Sequence, residues 1–368
     1  MQPPANAVRA SGECRVLFAF DVAQSIDLVR AAQTIHEPST LGALGQAHEA
    51  PSGFQFTPPP LRVRHRAAAL SISRWSASES VELVLFDFGA VVVSYTLPFD
   101  GTLRDCIALA CELAQDTSLA RAARLRVDEL VAALGAHLVK GGVSDVVEDY
   151  AVFRLPGALL ERDAERFVTA HAAELTGILR AEDEALSRDV IADALAVRVQ
   201  YGPSDLALID WRHAVVFDDA PEDALRVLEY ANVQLLELRF LDAQLDTALD
   251  ASLRSVSRHG QRRHLGPMAL RRELRQLSTM QLEAAFLFER LGNTLKISSD
   301  QHLARLLRQA NARFRLQEWN DTAQRKLAAL DNVYDKLHDH AATVRAEVLE
   351  ILIVLLIVFE IALSLIEH

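Results

Sequence analysis

A chain of 368 residues with 50% hydrophobic content is long enough for two folded domains, or for one domain carrying a long helical element. Its net charge of −12 argues against a protein that coats nucleic acid over its whole surface, and DNA is not an expected partner. Cys14, Cys106 and Cys111 form no CxxC pair and leave one over, so reduced, buried thiols are expected.

Residues 1–12 read as disordered, and their lack of an apolar core predicts no secretory signal. CRVLFAF (Cys14–Phe20) has strand character, and Asp21 is a candidate N-cap for a helix over Asp21–Ile35. A loop rich in Gly and Pro covers 38–60. The run Val81–Leu97 is too long for one strand and is expected to fold back at Asp87-Phe88-Gly89. Helices are expected near 99–115 and 122–138, and another strand over Glu148–Leu155. The order predicts an α+β domain at 13–155 with a small, largely antiparallel sheet.

From Pro156 the texture is helical. Residues 156–220 read as helices followed by an irregular bridge from Tyr201 to Ala220, and a long amphipathic helix opens at Pro221. Met268–Leu291 is the next expected helix. Beyond Gly292 there is neither Gly nor Pro, which predicts one helix from about 300 to 366. Within it Leu327, Leu330, Tyr334, Leu337 and Val344 alternate spacings of three and four, the seam of a coiled coil or helical bundle. Residues 221–347 therefore read as a stalk that associates with its copies into a homo-oligomer.

The closing run Val348–Ile366 is apolar except at Glu350, Glu360 and Ser364. As a helix it would be about 28 Å long, close to a bilayer's hydrocarbon thickness. The expectation is a single-pass C-terminal membrane anchor at 348–366, with Glu360 sheltered between apposed tails. The competing reading is a buried core helix, because a carboxylate within lipid costs about 2.5–3.5 kcal/mol. Lys and Arg precede the run and none follows, which would leave the bulk of the chain cytoplasmic.

No HExxH, P-loop, GxSxG or GxGxxG motif is present. Asp87-Phe88-Gly89 lacks the glycine-rich loop and HRD motif that a kinase would need. Charge is informative: Asp205–Asp250 holds eleven acidic residues and three arginines, and Arg254–Arg275 holds seven arginines and one Glu. Arg258, Arg262, Arg263, Arg271 and Arg272 form a basic turn that solvent, anionic lipid or ribosomal RNA phosphate would each suit. Asp205, Asp218, Asp219, Glu222 and Asp223 form an acidic sector that could hold a divalent metal or cap a helix.

The closing block Tyr334–Glu367 resembles the C-terminus of the "required for meiotic nuclear division" family, through Leu349-Glu350 and Phe359-Glu360-Ile361. LFDFGAVVV (Leu85–Val93) and RVLFAFDVAQSIDLVRAA (Arg15–Ala32) are similar to its aromatic-rich strand and its N-terminal strand–helix, and a bacterial-type member is expected. The resemblance implies a membrane-anchored, self-associating α+β protein with no established enzymatic activity, whose eukaryotic relatives support organellar translation at mitochondrial membranes. The expected function is thus a non-enzymatic membrane scaffold without cofactors. The alternatives are a metal- or ligand-binding, enzyme-like head on a membrane stalk, and a soluble coiled-coil adaptor.

Overall fold

The computed structural model describes residues 8–35, 39–41, 55–56, 58–261, 275, 278–279, 282, 285, 295–296 and 301–366. It divides into two compact units, Met1–Phe240 with Glu289–Trp319, and Leu241–Phe288 with Asn320–His368.

The first unit is built on a nine-stranded sheet. In chain order its strands are β1 (Arg9–Asp21), β2 (Ser39–Leu41), β3 (Leu61–Arg66), β4 (Ser80–Leu85), β5 (Ala90–Thr102), β6 (Val147–Leu155), β7 (Arg198–Val199), β8 (Leu206–Ile209) and β9 (His213–Phe217). They lie in the order β7-β8-β9-β6-β1-β5-β4-β3-β2, antiparallel throughout except for the parallel pair β6 and β9. β1 is central, with Val16 opposite both Tyr95 and Ala151. Its run RVLFAF is apolar at consecutive positions because both faces of the sheet are covered.

Thus the sheet is larger than the small one expected from the N-terminal half. The stretch 156–220 carries helices and also three strands, two of them in the supposed bridge. β8 and β9 are four and five residues long, too short to show a period. The expected turn does form: Gly89 at φ +104° joins β4 to β5, and a Cβ there would fall 1.6 Å from the Ala23 carbonyl oxygen.

The helices are α1 (Leu28–Thr34), α2 (Leu103–Gln115), α3 (Ser118–Leu134), α4 (Ala164–Ala170), α5 (Ala172–Arg180) and α6 (Arg188–Ala194), of which α1, α2, α4 and α6 open on a side-chain N-cap. Asp27, not Asp21, caps α1, its carboxylate accepting from Arg30 N at 3.1 Å. Thr102 and Asp105 form a reciprocal capping box on α2. One face of the sheet, including Phe18, Phe20, Val93 and Phe153, shares a core with α2, α3 and α5 through Leu109, Val127 and Ile178. The other face meets α7 (Glu222–Gln261), where Tyr230 approaches Phe86 and Arg62 pairs with Glu229 at 2.7 Å.

The expected continuous helix from 300 to 366 is instead two, α8 (Gln301–Arg313) and α9 (Leu316–Ile366). Phe314 is fully buried edge-on against Tyr150, and Arg315 takes φ +51° to make the turn. In the second unit Leu330 is buried with Leu241, Leu245 and Ala323, and Leu327 packs beside them. Lys326 Nζ lies 2.7 Å from Asp242 and 2.6 Å from Asp246. This part of the leucine seam therefore closes on the chain's own α7 rather than on a copy. The side chains of Tyr334, Leu337 and Val344 lie outside the described residues.

Among the described residues no helix is long and apolar enough to cross a membrane. The described apolar side chains of α9, Ile351–Phe359, extend for about 14 Å between Glu350 and Glu360, half of what hydrocarbon requires. The expected transmembrane helix, tail anchor and single-pass localisation are corrected accordingly, and the cytoplasmic orientation that depended on them loses its basis.

Candidate functional site

On the face of the sheet that carries the small helices, β1, β6 and the start of β9 form one wall of a cavity of about 410 Å³. The α2–α3 connection forms the other. Val16, Phe18 and Phe20 give an apolar floor, and Leu113 and Leu119 face them. That volume is in the range of small-molecule sites, and a mostly apolar lining with a few polar groups is their usual composition.

The polar groups come from short, well-fixed segments. His213 opens β9 and is buried, with its ring edge-on to Phe153. Its Nδ1 lies 2.8 Å from the Ile178 carbonyl oxygen. A carbonyl only accepts, so Nδ1 carries the proton and Nε2 is left as a bare acceptor. Burial lowers the His213 pKa to about 4, so the ring is neutral at physiological pH.

Arg212 precedes it and Asp149 comes from β6; both are exposed, and neither side chain makes a hydrogen bond or ion pair within the described residues. Arg121 Nε donates to the Thr117 carbonyl at 3.3 Å. Arg124 is committed to Asp128 and the Ser144 carbonyl. Asp116 caps α3, accepting from Ser118 N and Leu119 N.

The turn between β8 and β9 that presents Arg212 and His213 is held from behind. Asp210, fully buried, accepts from Trp211 N at 2.7 Å and from Arg313 Nε at 2.8 Å. Arg180 Nε lies 2.6 Å from its other oxygen, and Asp193 joins both arginines. The Tyr150 hydroxyl donates to the Asp210 carbonyl at 3.0 Å. A buried carboxylate between two guanidiniums fixes this turn in one arrangement.

A second polar cluster lies on the opposite face. Asp21 and Glu148, diagonal neighbours on β1 and β6, are buried beside Glu237 of α7, and Arg239 hydrogen-bonds Glu148. Burial pushes Asp21 and Glu148 each to about 7, and raises Glu237 well above the usual carboxylate range with Asp21 adding to the effect. Burial likewise pushes the Cys106 thiol up to about 12, leaving it inert.

The residues singled out from sequence are elsewhere. Glu350 is exposed on α9. The Glu360 side chain, the Arg258 side chain, and Arg262, Arg263, Arg271 and Arg272 fall outside the described residues. The acidic sector is spent on local structure: Asp205 accepts from Tyr201 N, Asp218 from Ala220 N and Asp219 from Gly157 N, while Asp223 pairs with Arg226. Among the described residues no group of three or more His, Cys, Asp or Glu could hold a metal ion. Sequence reading missed His213, Arg212 and Asp149. The one available signal was a histidine heading the apolar pentapeptide HAVVF directly after Asp210-Trp211-Arg212.

Residues 11–224, more than half of the chain, match the protein family described as "Uncharacterized protein MJ0711, N-terminal domain". The chain belongs to this family. The uncharacterized protein MJ0711 of Methanocaldococcus jannaschii is 25% identical over 205 residues, which is 55% of this chain and 62% of the relative. The chain thus spans less than two thirds of that relative's length. No solved structure matches.

The family segment covers the sheet apart from Arg9 and Ala10 and every residue of the cavity lining, and stops in the first turn of α7. The expected kinship with the meiotic nuclear division family, as a bacterial-type member, is corrected by this membership. The closing block that carried that resemblance lies outside the matched residues. Its shared positions are mainly apolar, a pattern that long helices of many families satisfy.

Proposed function

We propose that the protein is a non-enzymatic scaffold that self-associates through α9. One observation carries this reading: nine consecutive apolar residues, Ile351–Phe359, are each 50–63% exposed. Nine residues make about two and a half helical turns, so this stretch is apolar on every side. Association with copies of the same helix covers the side of each that faces the bundle axis and removes much of this apolar surface from water, and closed assemblies of one chain are the common form of such association. Burying the remaining exposed part of each side chain contributes roughly 1 kcal/mol.

The buried Cys14 and Cys106, whose thiol pKa values burial raises, offer no thiolate nucleophile, which supports the non-catalytic part of the reading. Light scattering on the full chain, with and without Leu352→Glu and Leu355→Glu together, is the test. Wild type is expected as an oligomer that the double variant dissociates. A monomeric wild type at high protein concentration overturns the proposal.

A further inference from the structure

The cavity beside β1 and β9 is independent of α9 and combines features that together specify a ligand. Three arginines and two aspartates line it, and His213 is neutral, so its lining carries one surplus positive charge. That surplus is available at the mouth. Arg212 is exposed without a partner, and Arg121 is exposed with only its Nε engaged. Arg124 and Asp116 are consumed by their own neighbours. A guanidinium with free N–H groups on a fixed turn suits an oxyanion, which it can take with two parallel hydrogen bonds.

Deeper in, the demand is reversed. His213 Nε2 accepts and cannot donate while Nδ1 is tied to the Ile178 carbonyl, so it needs a hydroxyl or N–H from whatever enters. Asp149, also unpartnered, asks for the same at the mouth and disfavours any ligand with more than one negative charge. Between these groups Val16 and Phe18, 5% and 7% exposed, give the cavity a small apolar floor.

We propose that this cavity binds a small organic monoanion, with Arg212 and Arg121 holding its oxyanion, His213 Nε2 accepting from its hydroxyl or N–H group, and the β1 side chains packing on its apolar body. The Asp210–Arg313–Arg180 clamp positions the two β8–β9 residues that read the ligand. Specificity follows from the unmatched groups: a neutral analogue leaves the arginines unused, and one without a donor leaves Nε2 desolvated and unpaired, a penalty of the kind that discriminates strongly.

The probe is 8-anilinonaphthalene-1-sulfonate, which has one sulfonate, one N–H and an apolar ring system, titrated into the full chain and followed by fluorescence. N-phenyl-1-naphthylamine, the same body without the sulfonate, serves as the neutral comparison. Dye bound along α9 is untouched by a change at Arg212, so the difference between wild type and an Arg212 variant reports the cavity alone. Saturable binding of the sulfonate is expected, at least tenfold tighter than the neutral dye. Arg212→Glu, an exposed change that leaves the core intact, is expected to weaken it at least tenfold, and His213→Phe, which also removes the hydrogen bond to the Ile178 carbonyl and lowers the melting temperature, to weaken it several-fold. Equal binding of the two dyes overturns the proposal, as does an affinity that Arg212→Glu leaves unchanged.

Discussion

At Asp21, Glu148 and Glu237 the chain keeps carboxyl groups away from water, and Arg239 pairs with Glu148. Burial raises all of these above their ordinary range, Asp21 and Glu148 to about 7. In the native state they hold protons that the unfolded chain releases near pH 4. Native stability from these groups is therefore complete below pH 4 and is lost as pH rises towards and through 7. His213 works oppositely: its lowered pKa makes the unfolded chain bind the extra proton, which costs stability as pH falls from about 6.5 towards 4. Glu237→Gln isolates the first effect, since His213 is common to both chains and cancels in the difference. The gain in melting temperature of the variant over wild type is expected to be larger at pH 8.5 than at pH 5.5, by differential scanning calorimetry. A pH-independent difference would show that Glu237 is ionised in the native protein. None of this was legible in the sequence, where Asp21 reads as a helix cap, Glu148 opens an expected strand and nothing marks Glu237. Burial, not residue type, changed their chemistry.

Elements with a strong local signal formed where they were expected. The Asp87-Phe88-Gly89 turn is fixed by one glycine at φ +104°, with the Ala23 carbonyl against it. Gly89→Val is expected to cost on the order of 3 kcal/mol in chemical denaturation, from the strained φ and the clash together. A loss below about 1 kcal/mol would mean that the turn rearranges freely. α2 and α3 lie within about four residues of the helices expected near 99–115 and 122–138, whereas the strands Leu206–Ile209 and His213–Phe217 have no counterpart among the expected elements. Those two strands exist because β6 supplies a parallel edge for β9, and β8 then adds to β9. Pairing partners far away in sequence, rather than local propensity, create such elements. The long C-terminal helix failed differently. Its composition permits continuity, but burial of Phe314 against Tyr150 makes a turn at Arg315 more favourable.

Among the described residues two of the buried clusters, the sheet core and the small cluster around Leu330, share no residue. Leu330→Ala removes a 1% exposed side chain from a cluster of four buried residues, a change worth about 2–5 kcal/mol. Hydrogen exchange is expected to speed up over Asn320–Asp331 of α9 while the amides of β1, β5 and β6 keep their protection. Loss of protection throughout would show that the two units unfold as one. The family match ends in the first turn of α7, so the matched residues hold the cavity lining and nearly all of the sheet.

By itself the sequence determined the α+β class, the hairpin at Gly89, the strand character of the β1 and β6 segments, and an apolar segment near the C-terminus that requires cover. It did so because these depend on period, turn chemistry and composition, which are properties of neighbouring residues. Only the tertiary structure decided that the sheet reaches nine strands, that Leu327 and Leu330 of the leucine seam close on α7, that no described helix can cross a membrane, and that Arg212, His213 and Asp149 surround one cavity. Those facts depend on distances between residues far apart in the chain, and burial then set the charge and hydrogen-bonding role of each.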